Sequence, residues 1–281
     1  MDAPSLFSVA GKNVLLTGGG RGIGEMIAEG LVLNGANVLI CSRDIAACEA
    51  TANRLNALRP KQGSCIAFAA DLATFEGVEK LVEKTREQFA GKLHSLVNNS
   101  GKAWGQQIDK FDSKKGFEDI LRLNVTAPFH LTKLCLPLLE AAQTPGNPAT
   151  VINIASIDGM RTPMNPTYSY STSKSGLIAL SRHLALHLGP RNITVNVIAP
   201  GPFFTRMLAS NVPAVYDNWS NPDHPAVKKF KEAISNTNPI GRLGDTADAA
   251  GASMFLMSKA GSYVNGATLN LDGGQWIGSR L

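Results

Sequence analysis

The segment Thr17-Gly18-Gly19-Gly20-Arg21-Gly22-Ile23-Gly24 follows a short apolar run and opens an amphipathic run that ends at Leu33. Glycines at such a junction permit a tight turn and let backbone N–H groups approach an anion. The spacing Gly18-x-x-x-Gly22-x-Gly24 differs from the strict G-x-G-x-x-G pattern. Its place between a first strand and a first helix is nevertheless that of a pyrophosphate-binding turn. The segment therefore predicts a dinucleotide site.

Around this turn, short apolar runs alternate with longer helical patterns, which indicates βαβ units and a parallel sheet. No repeat, linker or low-complexity tract divides the chain. We therefore predict a single α/β domain over residues 1–281, with a doubly wound, Rossmann-like parallel sheet of about seven strands. The predicted strands are 13–17, 37–42, 65–69, 93–98, 150–155, 194–199 and 267–271, and the predicted helices are 23–33, 45–58, 75–89, 116–139, 169–188 and 245–257.

Residues 202–240 break this alternation. They are rich in proline and show no strand period, and loops this long in compact α/β domains often cover an active site. The segment is predicted to be a substrate-binding lid in loop conformation. Its aromatic residues either line a pocket or pin the loop to the core: Phe203, Phe204, Tyr216 and Trp219.

Composition excludes several classes of protein. With 44% hydrophobic and 17% charged residues, the 281-residue chain can bury a globular core. Its net charge of +5 comes without a basic block, which favours a small anionic ligand over nucleic acid. No apolar stretch is long enough to predict a membrane span. The five histidines form no metal-like cluster, and the cysteines show no metal or disulfide spacing, so we expect no metal and a reducing compartment: Cys41, Cys48, Cys65 and Cys135.

The end of the second predicted strand, Ser42-Arg43-Asp44, bears on the choice of dinucleotide. In such folds an acidic residue here binds the ribose of NAD, whereas a basic residue accommodates the 2′-phosphate of NADP. Ser42 stands where that carboxylate would be, Arg43 follows it, and Arg21 of the glycine turn can reach the same phosphate. Asp44 is contrary evidence, although a residue just before a helix also serves as an N-cap. We predict NADP(H).

Tyr170 and Lys174 lie four residues apart in a predicted helix, so they share a face, about 6 Å apart along its axis. A neighbouring ammonium stabilises a phenolate, so we expect the pKa of Tyr170 to fall from about 10 toward the range useful to a general acid. Tyr168 competes for this role but has no lysine four residues on. Ser156 follows the fifth predicted strand, and the carboxyl ends of parallel strands are where such sheets bind ligands.

With these residues in place, the chain resembles the short-chain dehydrogenase/reductase family over nearly its whole length. Within the family it is most similar to 3-oxoacyl reductases of the rhamnolipid-pathway type. Ser100 replaces a usual alanine, and Ser156 lies fourteen residues before Tyr170, slightly more than is usual. The matching motifs are Thr17-Gly18-x-x-x-Gly22-Ile23-Gly24, Asp71-Leu72, Asn98-Asn99-Ser100-Gly101, Asn124-Val125, Ser156, Tyr170-x-x-x-Lys174, and Pro200-Gly201 followed by Thr205.

The resemblance implies a role for each matching position. Tyr170 would donate a proton to a carbonyl oxygen that Ser156 hydrogen-bonds. Lys174 would bind the nicotinamide ribose, and Asn124 would hold a water in a proton relay to Lys174. The implied cofactor contacts are Ile23 under the pyrophosphate, Asp71-Leu72 at the adenine, Asn98 and Gly101 at the adenosine ribose, and Pro200, Gly201, Phe203 and Thr205 at the nicotinamide. A homotetramer packed through Arg242 and residues 261–274 is also implied.

The implied activity is the NADPH-dependent reduction of a small carbonyl compound, such as a 3-oxoacyl thioester, to a secondary alcohol. Sugar or polyol dehydrogenases of similar architecture are the alternative, although they would need polar groups in the lid. A non-enzymatic regulator that senses NADP(H) is a remote alternative, because such proteins typically lose the Tyr/Lys pair. Cytoplasm is the expected location, and Ser279-Arg280-Leu281 resembles a peroxisomal address that would matter in a eukaryote.

Overall fold

The computed structural model describes residues 2–58, 63–210 and 212–278. Two π-helical segments, Ser113–Glu118 and Arg122–Thr126, flank the short helix Asp119–Leu121. The strands are β1 (Asn13–Thr17), β2 (Asn37–Ser42), β3 (Ser64–Ala69), β4 (Ser95–Asn98), β5 (Ala149–Ile154), β6 (Ile193–Pro200) and β7 (Thr268–Leu271). The α-helices are α1 (Ala3–Leu6), α2 (Gly22–Leu33), α3 (Ile45–Leu58), α4 (Phe75–Gln88), α5 (Asp119–Leu121), α6 (Ala127–Glu140), α7 (Tyr168–Leu188), α8 (Arg206–Ala209), α9 (Pro213–Tyr216), α10 (Pro225–Ser235) and α11 (Thr246–Met257).

The seven strands form one parallel sheet in the order β3-β2-β1-β4-β5-β6-β7. Strand β1 pairs with β2 on one side and with β4 on the other, so the direction of winding reverses next to β1. Open α/β sheets bind ligands outside the carboxyl ends of their strands at this reversal. The predicted doubly wound α/β fold is confirmed, and it places the glycine turn at that crevice.

Alternation along the strands builds a core on each face of the sheet. In β1, Leu16 packs into the layer that contains α2 and α11, whereas Leu15 packs into the layer that contains α4 and α6. Successive side chains of a strand point to opposite faces, so a continuous apolar run serves both layers. Helices α2 and α11 approach closely at Gly30, where a Cβ would lie 2.2 Å from the Cβ of Ala250.

The predicted strand bounds agree with the structure within two residues, and 13–17 and 37–42 agree fully. The helix predicted over 116–139 is present as an unbroken helical run, but two π-helical segments lie within that run before α6 begins. The loop conformation predicted for residues 202–240 is wrong, since that segment contains α8, α9 and α10. Pro213 and Pro225 lie in the first turns of α9 and α10, where proline is tolerated because its N–H would be unpaired.

Within the described residues, no helix combines the length and the hydropathy that a membrane span needs. The same part of the chain contains no group of three or more His, Cys, Asp or Glu side chains placed to hold a metal ion. The tripeptide Ser279-Arg280-Leu281 lies outside the described residues.

Candidate active site

The carboxyl ends of β1, β2, β4 and β5 open into a cleft of about 770 Å³. Pockets for small molecules and cofactors span about 300–1,000 Å³, so the cleft is large enough for a nucleotide. Most of the predicted site residues meet there. Those that line the cleft are Gly18, Arg21, Gly22, Ile23, Gly24, Ser42, Arg43, Asp71, Leu72, Gly101, Tyr170, Lys174 and Thr205.

The glycine turn is shaped for close approach of an anion. Gly18 and Gly22 have φ angles of 69° and 60°, which residues with a side chain rarely adopt. A Cβ on Gly24 would lie 2.2 Å from the carbonyl oxygen of Gly18. The side-chain amide of Asn99 holds the turn by donating to the carbonyls of Thr17 (2.8 Å) and Gly18 (3.1 Å). No described side chain caps the N-terminus of α2, so its N–H groups fit a pyrophosphate.

One end of the cleft gathers guanidinium groups around a carboxylate. Arg21 forms an ion pair with Asp44, whose Oδ1 also accepts a hydrogen bond from the backbone N–H of Ala47 at 3.1 Å, as an N-cap does. The bond from Ala47 and the charges of Arg21 and Arg206 lower the pKa of Asp44, against desolvation. Arg43 is exposed beside this group. The arrangement suits a 2′-phosphate, although Asp44 would compete with that phosphate for the guanidinium groups.

Ser156, Tyr170 and Lys174 come together in the structure. Tyr170 and Lys174 share a face of α7, and the Lys174 Nζ lies 5.7 Å from the ring centroid of Tyr170. Ser156 also acts on the phenol of Tyr170, because hydrogen bonding from its hydroxyl lowers the Tyr170 pKa. Ser156 Oγ also accepts a hydrogen bond from the backbone N–H of Asp158 at 3.1 Å. Ser156 Oγ acts as an acceptor in this bond, so its hydroxyl keeps its own hydrogen for donation.

Burial dominates the ionisation of both titratable groups. It raises the pKa of Tyr170 to about 12, with the hydrogen bond to Ser156 acting against it and the charge of Asp158 adding to it. Lys174 is only 4% exposed, and burial lowers its pKa to about 8. The lowering of the Tyr170 pKa expected from its spacing to Lys174 is therefore wrong for the chain alone. Desolvation of the phenolate is the largest cause. The ammonium of Lys174 donates instead to the Ile154 carbonyl, at 2.8 Å.

Asn124 is fully buried within the π-helical segment Arg122–Thr126. Its Oδ1 accepts from the backbone N–H of Lys102 at 2.9 Å, and its Nδ2 donates to the Lys102 carbonyl at 2.9 Å. The same Nδ2 also donates to Ser173 Oγ at 2.9 Å. The side-chain amide therefore joins the chain after β4 to helix α7 and is occupied by protein partners.

The backbone carbonyl of Asn124 lacks the partner that an α-helix would give it. Pro128, four residues on, has no N–H, so the Asn124 carbonyl cannot accept the usual α-helical hydrogen bond. A Cβ on Gly101 would lie 3.4 Å from both Asn124 Oδ1 and Lys174 Nζ. These three predicted residues therefore lie together at one point of the site.

Several predicted residues support the cleft without lining it: Thr17, Asn98, Asn124, Ser156, Pro200, Gly201 and Phe203. Thr17 Oγ1 accepts from the backbone N–H groups of Asn99 (3.0 Å) and Ser100 (2.9 Å). Asn98 donates to Asn153 Oδ1 at 2.8 Å in the core. Phe203, 3% exposed, also belongs to the core, where a Cβ on Gly244 would lie 2.4 Å from its ring.

Residues 202–240 contribute cleft-lining residues that the sequence analysis did not assign to the cofactor, among them Phe204, Trp219 and Arg206. Phe204 and Trp219 line the cleft as a stacked pair with ring centroids 3.8 Å apart, and the Lys231 Nζ lies 4.0 Å from the Phe204 centroid. Thr205 caps α8 and lies 3.3 Å from the position of a Cβ on Gly22. Arg206 also lines the cleft, and its only sequence signal is its place next to Thr205.

The parallel sheet, the glycine-turn cleft and the Ser156–Tyr170–Lys174 group define a dinucleotide-dependent oxidoreductase. The model of the short chain dehydrogenase family matches residues 12–215. The chain belongs to this family, and the predicted resemblance is confirmed.

The chain also resembles individual proteins and solved structures. The chain is 40% identical to the rhamnolipids biosynthesis 3-oxoacyl-[acyl-carrier-protein] reductase of Pseudomonas aeruginosa, over 95% of this chain and 97% of that protein. The structure of the Pseudomonas aeruginosa RhlG/NADP active-site complex has a TM-score of 0.85 at 39% identity, covering 97% of this chain and 99% of that one. L-Sorbose reductase from Gluconobacter frateurii, solved with NADPH and L-sorbose, has a TM-score of 0.85 at 27% identity, covering 96% and 98%.

Proposed function

We propose that this chain uses NADPH to reduce a ketone, a 3-oxoacyl thioester or a similar carbonyl compound, to a secondary alcohol. The observation that carries the proposal is the meeting of Ser156, Tyr170 and Lys174 beside the glycine-turn cleft. NADPH, when bound, supplies the hydride. The protein has to orient the carbonyl group and protonate the oxygen that becomes an alkoxide.

The three side chains divide this work. Ser156 Oγ acts as the acceptor for the Asp158 N–H, so the hydroxyl keeps its own hydrogen for donation to the carbonyl oxygen. Tyr170 is protonated at neutral pH, since burial raises its pKa to about 12, and it gives its proton to the growing alkoxide. Lys174, with a pKa of about 8, is mostly charged at neutral pH. Its ammonium therefore stabilises the phenolate that remains and can hold the nicotinamide ribose.

NADP(H) is the cofactor that the site favours. Arg21, Arg43 and Arg206 bring three positive charges to the end of the cleft where Asp44 lies. Similarity to proteins whose structures were solved with NADP and NADPH supports the same choice. We expect an Arg43→Gln variant to lose preference for NADPH over NADH, measured as the ratio of the two kcat/KM values.

The lid favours an apolar substrate. The stacked Phe204–Trp219 pair gives the cleft an aromatic wall, which suits an acyl chain or an aryl ketone better than a sugar. The 40% identity to a 3-oxoacyl reductase supports the same class. Reduction of a keto-sugar is the second candidate, favoured by the TM-score of 0.85 with L-sorbose reductase. The intact Tyr170–Lys174 pair argues against a non-enzymatic NADP(H) sensor.

The proposal includes the organisation of the protein. Residues 1–281 would form one domain, with 202–240 as the substrate lid. A homotetramer would pack through Arg242 and residues 261–274, where the fully exposed ring of Tyr263 (101% relative exposure) offers an aromatic surface to cover. Cytoplasm is the proposed location.

A substrate panel tests the proposal directly. NADPH oxidation is measured with 3-oxoacyl thioesters of increasing chain length, aryl ketones and keto-sugars, each with wild type and with Tyr170→Phe. We expect the highest kcat/KM for a 3-oxoacyl thioester or another apolar ketone, and turnover reduced by about 10²–10⁴-fold in the variant. Keto-sugars as the best substrates would favour the second candidate, and no turnover with any carbonyl would contradict the reductase.

A further inference from the structure

The turn that follows Ser156 carries a charged residue that the proposed mechanism does not use. Residues Ile157–Gly159 form a single 3-10 turn capped by Ser156. Ser156 Oγ accepts from the Asp158 N–H at 3.1 Å, and the Ser156 carbonyl accepts from the Gly159 N–H at 3.0 Å. Asp158 is thereby fixed to the backbone that positions the catalytic serine.

The turn is also fixed to helix α7, which carries Tyr170 and Lys174. Ser175 Oγ donates to the Gly159 carbonyl at 2.6 Å. A Cβ on Gly159 would lie only 2.7 Å from the carbonyl carbon of Lys174, so the two backbones are in direct contact. The backbone that carries Asp158 is therefore fixed against the helix that carries Tyr170.

Arg161 is the counter-ion of this carboxylate. Its Nε lies 3.1 Å from Asp158 Oδ1, with the two side chains 35% and 27% exposed. Its Nη1 reaches the Gln275 carbonyl at 3.5 Å, and Gln275 Nε2 donates to Thr237 Oγ1 at 2.7 Å, just after helix α10 of the lid. The Asp158–Arg161 pair is thereby linked through Gln275 to the C-terminal segment and to the chain just after α10.

Lys174 and Asp158 each bring a charge to the surroundings of Tyr170. Lys174, on the same helix, places its Nζ 5.7 Å from the ring centroid, and Asp158, on the turn, raises the pKa of the phenol. Arg161 acts on the phenol through Asp158, whose charge it partly neutralises. A carboxylate beside a group that becomes anionic disfavours ionisation, and a paired guanidinium weakens that effect.

We propose that the Asp158–Arg161 pair is a positioning element of the active site, whose opposed charges adjust how readily Tyr170 gives up its proton. The inference rests on the proposed role of Tyr170 as proton donor. It implies that each partner influences proton transfer in the opposite sense, although loss of either one breaks the same ion pair.

Asp158→Asn and Arg161→Gln separate this role from a structural one. The readout is the acidic limb of the pH profile for oxidation of the product alcohol by NADP⁺, in which Tyr170 must be ionised to act as base. For Asp158→Asn we expect the acidic limb to move to lower pH by about 0.5 pH unit, which corresponds to about threefold faster turnover at a fixed pH. For Arg161→Gln we expect the acidic limb to move by a similar amount to higher pH, and turnover at a fixed pH to be slower.

Two further variants test the same charges. The double variant Asp158→Asn/Arg161→Gln should return the limb close to its wild-type position, because both charges are gone. Arg161→Lys should preserve the wild-type profile, because the positive charge is kept. Glu83→Gln and Arg86→Gln break an ion pair of the same i,i+3 spacing and a similar 3.2 Å distance on α4, far from the chemistry, and serve as controls that should not move the limb.

Phenolate absorbance gives a second readout that needs no substrate. The ultraviolet titration of Tyr170 is obtained by subtracting the titration of Tyr170→Phe from that of each protein, and the two single variants should again move it in opposite directions. Movements in one direction, additive damage in the double variant, or no movement would overturn the proposal. Turnover retained by Tyr170→Phe would instead contradict the proposed function, so the two failures are distinguishable.

Discussion

The buried ammonium of Lys174 predicts a pH-dependent stability that a Lys174→Met variant should lack. Burial lowers its pKa from 10.5 to about 8. Each tenfold change in a protonation equilibrium corresponds to about 1.4 kcal/mol. The folded state therefore binds this proton less favourably than the unfolded chain, by about 3 kcal/mol.

The sign of the effect follows from the two pKa values. Below pH 8 both states are protonated and the penalty on the folded state is complete. As the pH rises from 8 to 10.5, the folded state has released the proton while the unfolded chain still holds it, so the penalty disappears. The unfolding free energy of wild type relative to Lys174→Met should therefore increase by about 2.5 kcal/mol between pH 7 and pH 10.

Comparison at each pH removes the contribution of other groups. Burial also raises the pKa of Cys41, Cys65 and Cys135 to about 12, and these thiols change the stability of both proteins equally. The lost hydrogen bond to the Ile154 carbonyl affects the variant at every pH and largely cancels.

The assay is urea unfolding followed by tryptophan fluorescence at pH 7 and pH 10, under reducing conditions and at one protein concentration. The control is Lys229→Met, at an exposed position of α10, for which the difference from wild type should not change with pH. The reasoning is refuted if the Lys174→Met difference is the same at both pH values.

Two further predictions concern the catalytic and cofactor-binding groups. Tyr170→Phe should reduce carbonyl turnover by about 10²–10⁴-fold, the usual contribution of a general acid, while NADPH fluorescence titrations still show binding; retained turnover would place the acid elsewhere. Gly24→Ala should weaken NADPH binding and lower the unfolding free energy by about 1–3 kcal/mol, because the added Cβ would lie 2.2 Å from the Gly18 carbonyl oxygen. Thermal unfolding and the same titration check this, and an unaffected variant would show that the turn can relax.

Local periodicity was sufficient to predict the sheet. Each strand is a short apolar run bounded by turn residues, so β1 and β2 could be located to the residue. The helices within residues 202–240 could not be predicted in this way, because proline is found both where a helix is broken and in the first turn of a helix. Pro213 and Pro225 were interpreted as breaks, yet each lies in the first turn of a helix, and only the following turn distinguishes the two cases.

Site residues carried by short motifs could be predicted, whereas those that depend on packing could not. The glycine turn and the Tyr170–Lys174 spacing are local patterns, and both line the cleft. Phe203 is buried in the core, whereas Phe204 lines the cleft. This difference depends on the path of residues 202–240, whose sequence shows no periodic pattern. The contact of Arg161 with Gln275 joins residues 114 positions apart, and no spacing in the sequence indicates it.

The pKa of Tyr170 could not be predicted from the sequence, because the sequence does not show how deeply the side chain is buried. A lysine one helical turn away predicts a lowered phenol pKa only if both groups keep their water. In the folded chain burial raises the pKa of Tyr170 to about 12 and lowers that of Lys174 to about 8, so it favours the neutral form of each.

For reduction, the raised pKa of Tyr170 is favourable, because the proton donor must begin protonated. For oxidation the same phenol must ionise, and its environment, including Asp158, then opposes the reaction. The geometry therefore predicts that oxidation depends much more steeply on pH than reduction does near neutrality. Parallel pH profiles for the two directions would contradict the assignment of Tyr170 as the proton-transfer group.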